Sequence, residues 1–168
     1  MKTFVGIDPG KSGAVVAIND KGITKLVIPT IGKEYDVDAC IQILKSFKNP
    51  FVVLENINYH SAKGRQSAGV MGEGKMLWKA LLPALEIPHA LVTPQTWQKE
   101  MWEGVPPQYK PGKKRKTKDT KAMSLLAAKR LFPGVDLKSS IRSKVPHDGI
   151  VDALLIAGYA QRKFENKV

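Results

Sequence analysis

Four carboxylates of this sequence lie inside or at the ends of apolar runs, where ionisable side chains are unusual. Asp8 follows FVGI, Glu55 follows FVVL, and Asp148 and Asp152 lie within HDGIVDALLIA. An ionised carboxylate in apolar surroundings is unfavourable unless a metal ion or a basic partner neutralises it. These four residues are therefore the candidate catalytic and metal-ligating set.

Carboxylate oxygens are hard ligands, which favour Mg²⁺ or Mn²⁺. Two such ions about 3.5–4 Å apart stabilise both the attacking and the leaving oxygen in phosphodiester hydrolysis. Asp148 and Asp152 are four residues apart, so a helix places them on one face about 6 Å apart. His147 is an alternative ligand or general base beside Asp148.

Three of these acids also have an ordinary structural interpretation when each is considered alone. Asp148 is of a type that often caps a helix N-terminus. Asp8 precedes Pro-Gly and is typical of turn chemistry, and Glu55 is compatible with an exposed strand end. Asp152 falls in the second turn of an apolar helix, where none of these interpretations applies. Together the four residues favour a single site.

The charge of the chain indicates what this site acts on. The 168 residues include 27 Lys and Arg against 15 Asp and Glu, a net charge of +12. This excess favours a polyanion, with nucleic acid as the first candidate and charge-driven membrane association as the alternative. No run approaches the ~18 apolar residues of a membrane span, and Cys40 alone excludes an internal disulfide. We expect no membrane partner and a cytoplasmic location.

The elements that must position the acids form an α/β pattern in one domain spanning residues 1–168. The pattern predicts a mixed five-stranded sheet, a three-strand antiparallel meander followed by β-α-β units, with helices on both faces. Asp8 and Glu55 end two strands and emerge side by side if those strands are parallel neighbours. The predicted strands are 3–7, 14–18, 23–28, 51–54 and 89–92. The predicted helices are 36–47, 67–85 (helical from about Met71 onward), a short one opened by Thr93-Pro94, 117–132 and 146–164.

Two basic loops are candidate DNA contacts. The first is a mobile loop at about 104–118. The second follows Glu55 and combines two cations with an aromatic side chain that can stack on unpaired bases. An ordinary solvated surface is the alternative for both. The candidate contacts are Lys113, Lys114, Arg115, Lys116 and Lys118 in the first loop and Tyr59, Lys63 and Arg65 in the second.

A glycine-rich stretch at 69–75 nearly matches a phosphate-binding loop. Position 76 is Met, so the Ser or Thr that would bind Mg²⁺ there is missing. We therefore expect no nucleotide cofactor, and we interpret these glycines as points of close backbone approach.

The sequence resembles the RuvC family of Holliday-junction resolvases, within the RNase H-like superfamily, over nearly its full length. The resemblance rests on GIDPGKSG, VVLENI and HDGIVDALLIA, with support from SAGVMGEGK, VTPQTWQK and KDTKAMSLLAAKRLFP. The short length and the HDG-x-x-DALL form are similar to the phage-encoded branch, which implies the host cytoplasm. The implied fold is RNase H-like.

The resemblance also implies a reaction. It is metal-dependent cleavage of four-way junctions and other branched DNA by paired nicks from a homodimer, with two Mg²⁺ per site that Mn²⁺ replaces. The implied ligands are Asp8, Glu55, Asp152 and either Asp148, which we favour, or His147. Two lysines that contact phosphate in the family are similar in position to Lys99 and Lys118, and Lys121 is an alternative to Lys118. The aromatic residue that opens the junction in the family is similar in position to Tyr59.

Two other functions share part of this evidence. A different RNase H-like nuclease, acting on RNA/DNA hybrids, would have the same acids. A non-catalytic protein that binds junctions would have only the basic loops. Our main hypothesis is a structure-selective endodeoxyribonuclease.

Overall fold

One mixed sheet of five strands organises the chain. The computed structural model describes residues 2–57, 65–112 and 116–166, with the backbone alone at 65–71. The strand order is β3-β2-β1-β6-β7, and a separate two-stranded hairpin pairs β4 with β5. The strands are β1 (Thr3–Asp8), β2 (Ala14–Asn19), β3 (Gly22–Val27), β4 (Thr30–Ile31), β5 (Glu34–Tyr35), β6 (Pro50–Glu55) and β7 (His89–Val92).

The sheet combines two pairing patterns. Strands β1, β2 and β3 form an antiparallel meander. Strand β6 lies parallel to β1 on its other side, and β7 lies parallel to β6. Strands β1 and β6 are buried along almost their whole length, as expected for central strands whose apolar residues do not alternate with polar ones. The predicted meander with β-α-β units is confirmed.

Helices cover both faces of this sheet, as predicted. On one face α3, α4 and α5 enclose a core with Trp97, Ala127 and Leu154. On the other face α1 and α2 enclose a core with Cys40 and Trp78. Within the described ranges, no helix is both long enough and apolar enough to cross a membrane. The helices are α1 (Val37–Ser46), α2 (Arg65–Ala84), α3 (Pro94–Met101), α4 (Thr120–Leu131) and α5 (Asp148–Phe164).

Several element boundaries differ from those predicted by the sequence. Helix α4 begins at Thr120 and not at 117, because the Asp119 carboxylate caps it by accepting a hydrogen bond from the Ala122 N–H. Helix α2 begins at Arg65, earlier than predicted. The β4–β5 hairpin was not predicted, since two-residue strands are too short to show alternation.

Glycines allow a helix to rest directly on the central strand. A Cβ at position 6 would lie 2.2 Å from the Ala153 carbonyl oxygen and 2.3 Å from the Ala157 nitrogen. At Gly74 of α2, a Cβ would lie 2.0 Å from the Pro9 carbonyl oxygen, in the loop after β1. The predicted close backbone approach is confirmed at Gly74. The close approach at Gly6 lets the N-terminal half of α5 rest on β1, and the one at Gly74 lets α2 rest on the loop after β1.

Candidate active site

Strand pairing brings Asp8 and Glu55 together. Ile7 lies opposite Leu54 in the parallel β1–β6 register. Asp8 follows Ile7 and Glu55 follows Leu54, so the two acids are neighbours on adjacent strands. Ile7 and Leu54 pack in the core on the α1–α2 side. Successive strand side chains point to opposite faces, so Asp8 and Glu55 are directed toward α5. The prediction that these two strands are parallel neighbours is confirmed.

Helix α5 carries Asp152 to the same edge of the sheet. The helix backbone contacts Gly6 of β1 at Ala153, the residue that follows Asp152. Its first turn contacts the loop after β1, because a Cβ at Gly149 would lie 2.5 Å from the Ser12 carbonyl oxygen. Asp152 thus lies in the second turn of α5, partly buried, within the electrostatic influence of Asp8.

The three carboxyl groups have raised pKa values. Burial, reinforced by the charge of Asp8, raises the pKa of Glu55 to about 8, although the Trp97 hydrogen bond opposes the shift. Burial also raises the pKa of Asp152 to about 7, against a hydrogen bond from Ser124 and with the charges of Asp8 and Asp148 adding to it. Burial raises the pKa of Asp8 as well. Such shifts in grouped carboxyls are typical of functional sites.

Each of these carboxyl groups is held by a donor from the protein. The Gly10 N–H donates to Asp8 Oδ1 at 3.2 Å, and the indole Nε1–H of Trp97 donates to Glu55 Oε1 at 2.8 Å. Ser124 hydrogen-bonds to the Asp152 carboxyl, yet Asp152 Oδ1 is buried without a partner among the described residues. A buried acceptor of this kind calls for a ligand or an ion.

Two of these donors were missed in the sequence. Trp97 is fully buried on α3, and Ser124 is buried on α4. Trp97 is 42 residues from Glu55 in the chain, and Ser124 is 28 residues from Asp152. The one available signal was that an indole N–H on an apolar helix face usually needs an acceptor.

The structure separates the roles of His147 and Asp148. His147 caps α5, since its Nδ1 accepts a hydrogen bond from the Ile150 N–H at 3.3 Å. Asp148 is the first residue of the helix, so its alternative interpretation as the N-cap is wrong. The Asp148 side chain is 58% exposed and forms an ion pair with Lys121. Asp148 therefore lies at the open side of the site.

The donor set fits divalent metal ions, although the ligands are not yet arranged around one. The described residues include no group of three or more His, Cys, Asp or Glu side chains that could hold an ion as they stand. Asp8, Glu55 and Asp152 are nevertheless close enough for their charges to interact. The buried, unpartnered Oδ1 of Asp152 offers a hard oxygen ligand of the kind that Mg²⁺ and Mn²⁺ prefer.

Among the candidate DNA contacts, Lys121 lies at the acidic cluster. It pairs with Asp148, and its charge also acts on Asp152. Lys99 is exposed on α3 and lines a surface pocket with Tyr159 and Lys163. Residues 113–115 and Tyr59 and Lys63 lie outside the described residues, and so does the side chain of Arg65. The predicted DNA contacts that fall there are Tyr59, Lys63, Arg65, Lys113, Lys114 and Arg115.

The second half of the basic loop at 104–118 is closed by backbone contacts. Tyr109 and Lys118 form an antiparallel bridge, and the Lys110 N–H donates to the Thr117 carbonyl oxygen at 2.9 Å. The Lys116 ammonium lies 5.8 Å from the centre of the Tyr109 ring. The base of this loop is therefore a short hairpin that carries exposed Lys116 and Lys118.

A mixed five-stranded sheet with carboxylates at the ends of its central strands defines an RNase H-like α/β fold. Two solved structures share it: T. thermophilus RuvC in complex with a Holliday junction substrate and a second structure of Thermus thermophilus RuvC. The first is 18% identical and covers 92% of this chain and 90% of its own, with a TM-score of 0.55. The second is 19% identical, and the match covers 95% of this chain and 96% of its own, with a TM-score of 0.53. These matches establish the RuvC fold.

Comparisons of the sequence itself give no such match. No family model matches the chain, and no curated protein matches it.

The pKa of Glu55 predicts how stability depends on pH without metal. The group titrates at about 8 when folded, against an ordinary value of 4.5. Between these values the folded state keeps a proton that the unfolded state has lost, so stability falls as pH rises. Glu55→Gln removes this loss and keeps an acceptor for Trp97. In EDTA at about pH 8 we expect the variant to be at least ~1 kcal/mol more stable than wild type.

Denaturant titrations from about pH 5 to about pH 9 measure this difference. Glu34→Gln, at an exposed position of the β4–β5 hairpin, is the control and should follow the wild-type curve. A Glu55→Gln variant with the wild-type dependence on pH would contradict the assignment.

Proposed function

We propose that this protein is a metal-dependent, structure-selective endodeoxyribonuclease that resolves Holliday junctions. The observation that carries the proposal is the convergence of Asp8, Glu55 and Asp152 at one edge of the sheet, with a buried oxygen of Asp152 that has no partner in the described part of the chain. The substrate is suggested by the similar fold of a T. thermophilus RuvC that was solved with a Holliday junction substrate. A net charge of +12 supports a polyanionic substrate of this kind.

The metal ligands in this proposal are Asp8, Glu55 and Asp152, with Asp148 as the fourth in preference to His147. Two Mg²⁺ ions, or Mn²⁺ in their place, would supply charge stabilisation for the phosphodiester and an activated water. The described carboxylates must turn toward a common point to take this role. At Asp8 and Glu55 the donor found engages one carboxyl oxygen, Oδ1 or Oε1, so the second oxygen of each is available to an ion.

The residues around the acids have separate tasks. Trp97 and Ser124 orient Glu55 and Asp152 through hydrogen bonds. Lys121 is positioned by Asp148 at the open side of the site, where a phosphate of the substrate would meet its ammonium group. Lys99 and the basic loop at 104–118 would contact DNA phosphates farther from the reacting bond.

A homodimer is part of the proposal. A four-way junction has two equivalent strands to cut, so two sites related by a two-fold axis would nick both. The resemblance to the phage-encoded branch remains a prediction from the form of the α5 motif, HDGIVDALLIA.

The proposal predicts cleavage of synthetic four-way junctions in Mg²⁺, and much slower cleavage of linear duplex. The panel includes flaps, replication forks and an RNA/DNA hybrid, since a hybrid nuclease would cut the hybrid best. Asp8→Asn removes one ligand and should abolish cutting. The proposal is wrong if wild-type protein leaves every branched substrate intact in Mg²⁺ and Mn²⁺, or if Asp8→Asn cuts as fast as wild type. Retained junction binding without cleavage would favour a binding protein.

A further inference from the structure

A cationic loop with an apolar tip lies immediately before α5. Residues 138–146, hereafter the pre-α5 loop, read KSSIRSKVP. Ile141 is fully exposed and Val145 is 70% exposed. Arg142 and Lys144 are exposed too, and neither forms a hydrogen bond or ion pair within the part of the chain that the structure describes.

This loop is held in a defined conformation. Its ends meet where the His147 N–H donates to the carbonyl oxygen of buried Leu137 at 2.8 Å. Lys25 of β3 donates to the Lys138 carbonyl oxygen at 3.1 Å, and the Ser143 hydroxyl lies 2.9 Å from that of Ser139. The exposed side chains are therefore presented from an anchored base.

The pre-α5 loop leads directly into the acidic cluster. It ends one residue before His147, which caps α5, and two before Asp148. Asp148 is four positions after Lys144, so their Cα atoms are at most ~14 Å apart. A strand of B-form DNA advances 3.4 Å per nucleotide, so this reach corresponds to about four nucleotides. Cations at such a distance would meet phosphates that flank the reacting one.

We propose that the pre-α5 loop is a second DNA-contacting element, in which Arg142 and Lys144 bind phosphates beside the cleaved bond and Ile141 inserts at an unstacked base step. Isoleucine is among the apolar side chains that DNA-bending proteins wedge between bases. Unstacking is easiest where pairing is interrupted, so the Ile141 contact favours a branch over linear duplex. This inference rests on the proposed function for the choice of branched DNA.

The salt dependence of DNA binding tests the phosphate contacts. Equilibrium binding of a four-way junction and of linear duplex is measured in EDTA at several salt concentrations. Two phosphate contacts contribute about 1.8 to the slope of log K against log salt. Arg142→Ala/Lys144→Ala should lower the slope by about this amount for both DNAs. The control is Lys21→Ala/Lys48→Ala, which removes the same charge from exposed positions at the opposite end of the sheet.

Junction selectivity tests the apolar tip. Ile141→Ala should weaken junction binding about tenfold, because the apolar contact of the inserted side chain with the bases is lost, and leave duplex binding and both salt slopes unchanged. Leu126→Ala, at an exposed position of α4, is the matched apolar control. A 2-aminopurine base at the branch should be brighter with wild type than with Ile141→Ala, because insertion unstacks it.

The outcomes separate this inference from the proposed function. The inference is overturned if the loop variants bind both DNAs as their controls do. If wild-type protein cuts junctions and the loop variants bind normally, the function holds and the loop assignment fails. If the double variant shows the lower salt slope but wild-type protein neither prefers nor cuts junctions, the phosphate contacts are supported and the proposed function fails. Melting curves check that each variant, altered only at exposed side chains, is folded.

Discussion

Asp152→Asn is expected to slow junction cleavage by at least ~10³-fold, because the loss of one anionic ligand removes several kcal/mol of charge stabilisation. Asp152 is the sharpest choice among the acids. Its Oδ1 is buried and has no partner among the residues that the structure describes. Asp8, in contrast, accepts a hydrogen bond at Oδ1, and Glu55 accepts one at Oε1. Asparagine has nearly the same shape and still offers an acceptor to Ser124.

Junction binding in EDTA should remain at the wild-type level or become slightly tighter, since one negative charge leaves a surface that receives DNA. Single-turnover cleavage and equilibrium binding, measured on the same junction, separate the two effects. Asp20→Asn, an exposed turn residue, is the control and should cut as wild type does. Cleavage by Asp152→Asn within about threefold of wild type would remove Asp152 from the ligand set.

Local sequence patterns were enough to predict the scaffold of the site. Asp8 and Glu55 each follow a short apolar run, and such a run between turn residues is typical of a central strand. The parallel register then brings the two side chains together without further information. Asp152 was equally accessible, because a carboxylate inside an apolar helix conflicts with the pattern around it.

The contacts that orient the acids were not accessible in this way. The Trp97–Glu55 hydrogen bond joins α3 to β6, and no spacing rule relates residues on separate elements. His147 caps α5 although Asp is a much commoner cap than His, and Gly149 in the first turn packs closely on Gly13. Residue preference alone therefore does not distinguish His147 from Asp148 as the cap.

The raised pKa values of the acids imply that the site opposes folding. Without a cation, Glu55 and Asp152 must either hold a proton at neutral pH or be ionised while buried beside another carboxylate, and both destabilise the folded state relative to the unfolded one. A ligand that binds only the folded state offsets this loss. The remaining stability must come from the cores on either side of the sheet, and at Gly6 the backbone of α5 lies directly on the central strand.

Gly6→Ala is expected to destabilise the protein by about 3 kcal/mol or more, at the upper end for overpacked cores. The added Cβ would lie 2.2 Å from the Ala153 carbonyl oxygen and 2.3 Å from the Ala157 nitrogen, which are backbone atoms of α5 and cannot rotate away. Helix α5 must therefore move off β1, and Asp152 moves with it, away from Asp8. Cleavage should fall along with stability, even though no ligand is changed.

Thermal melts and junction cleavage at low temperature test this expectation. For a chain of this size, about 3 kcal/mol lowers Tm by about 6–12 °C. Gly10→Ala is the matched control for stability, because a Cβ there meets atoms only at ordinary contact distances of 3.7 Å and beyond. If Gly6→Ala melts within about 2 °C of Gly10→Ala, the helix has room to spare over β1, and its direct contact with the strand is not what places Asp152 at the site.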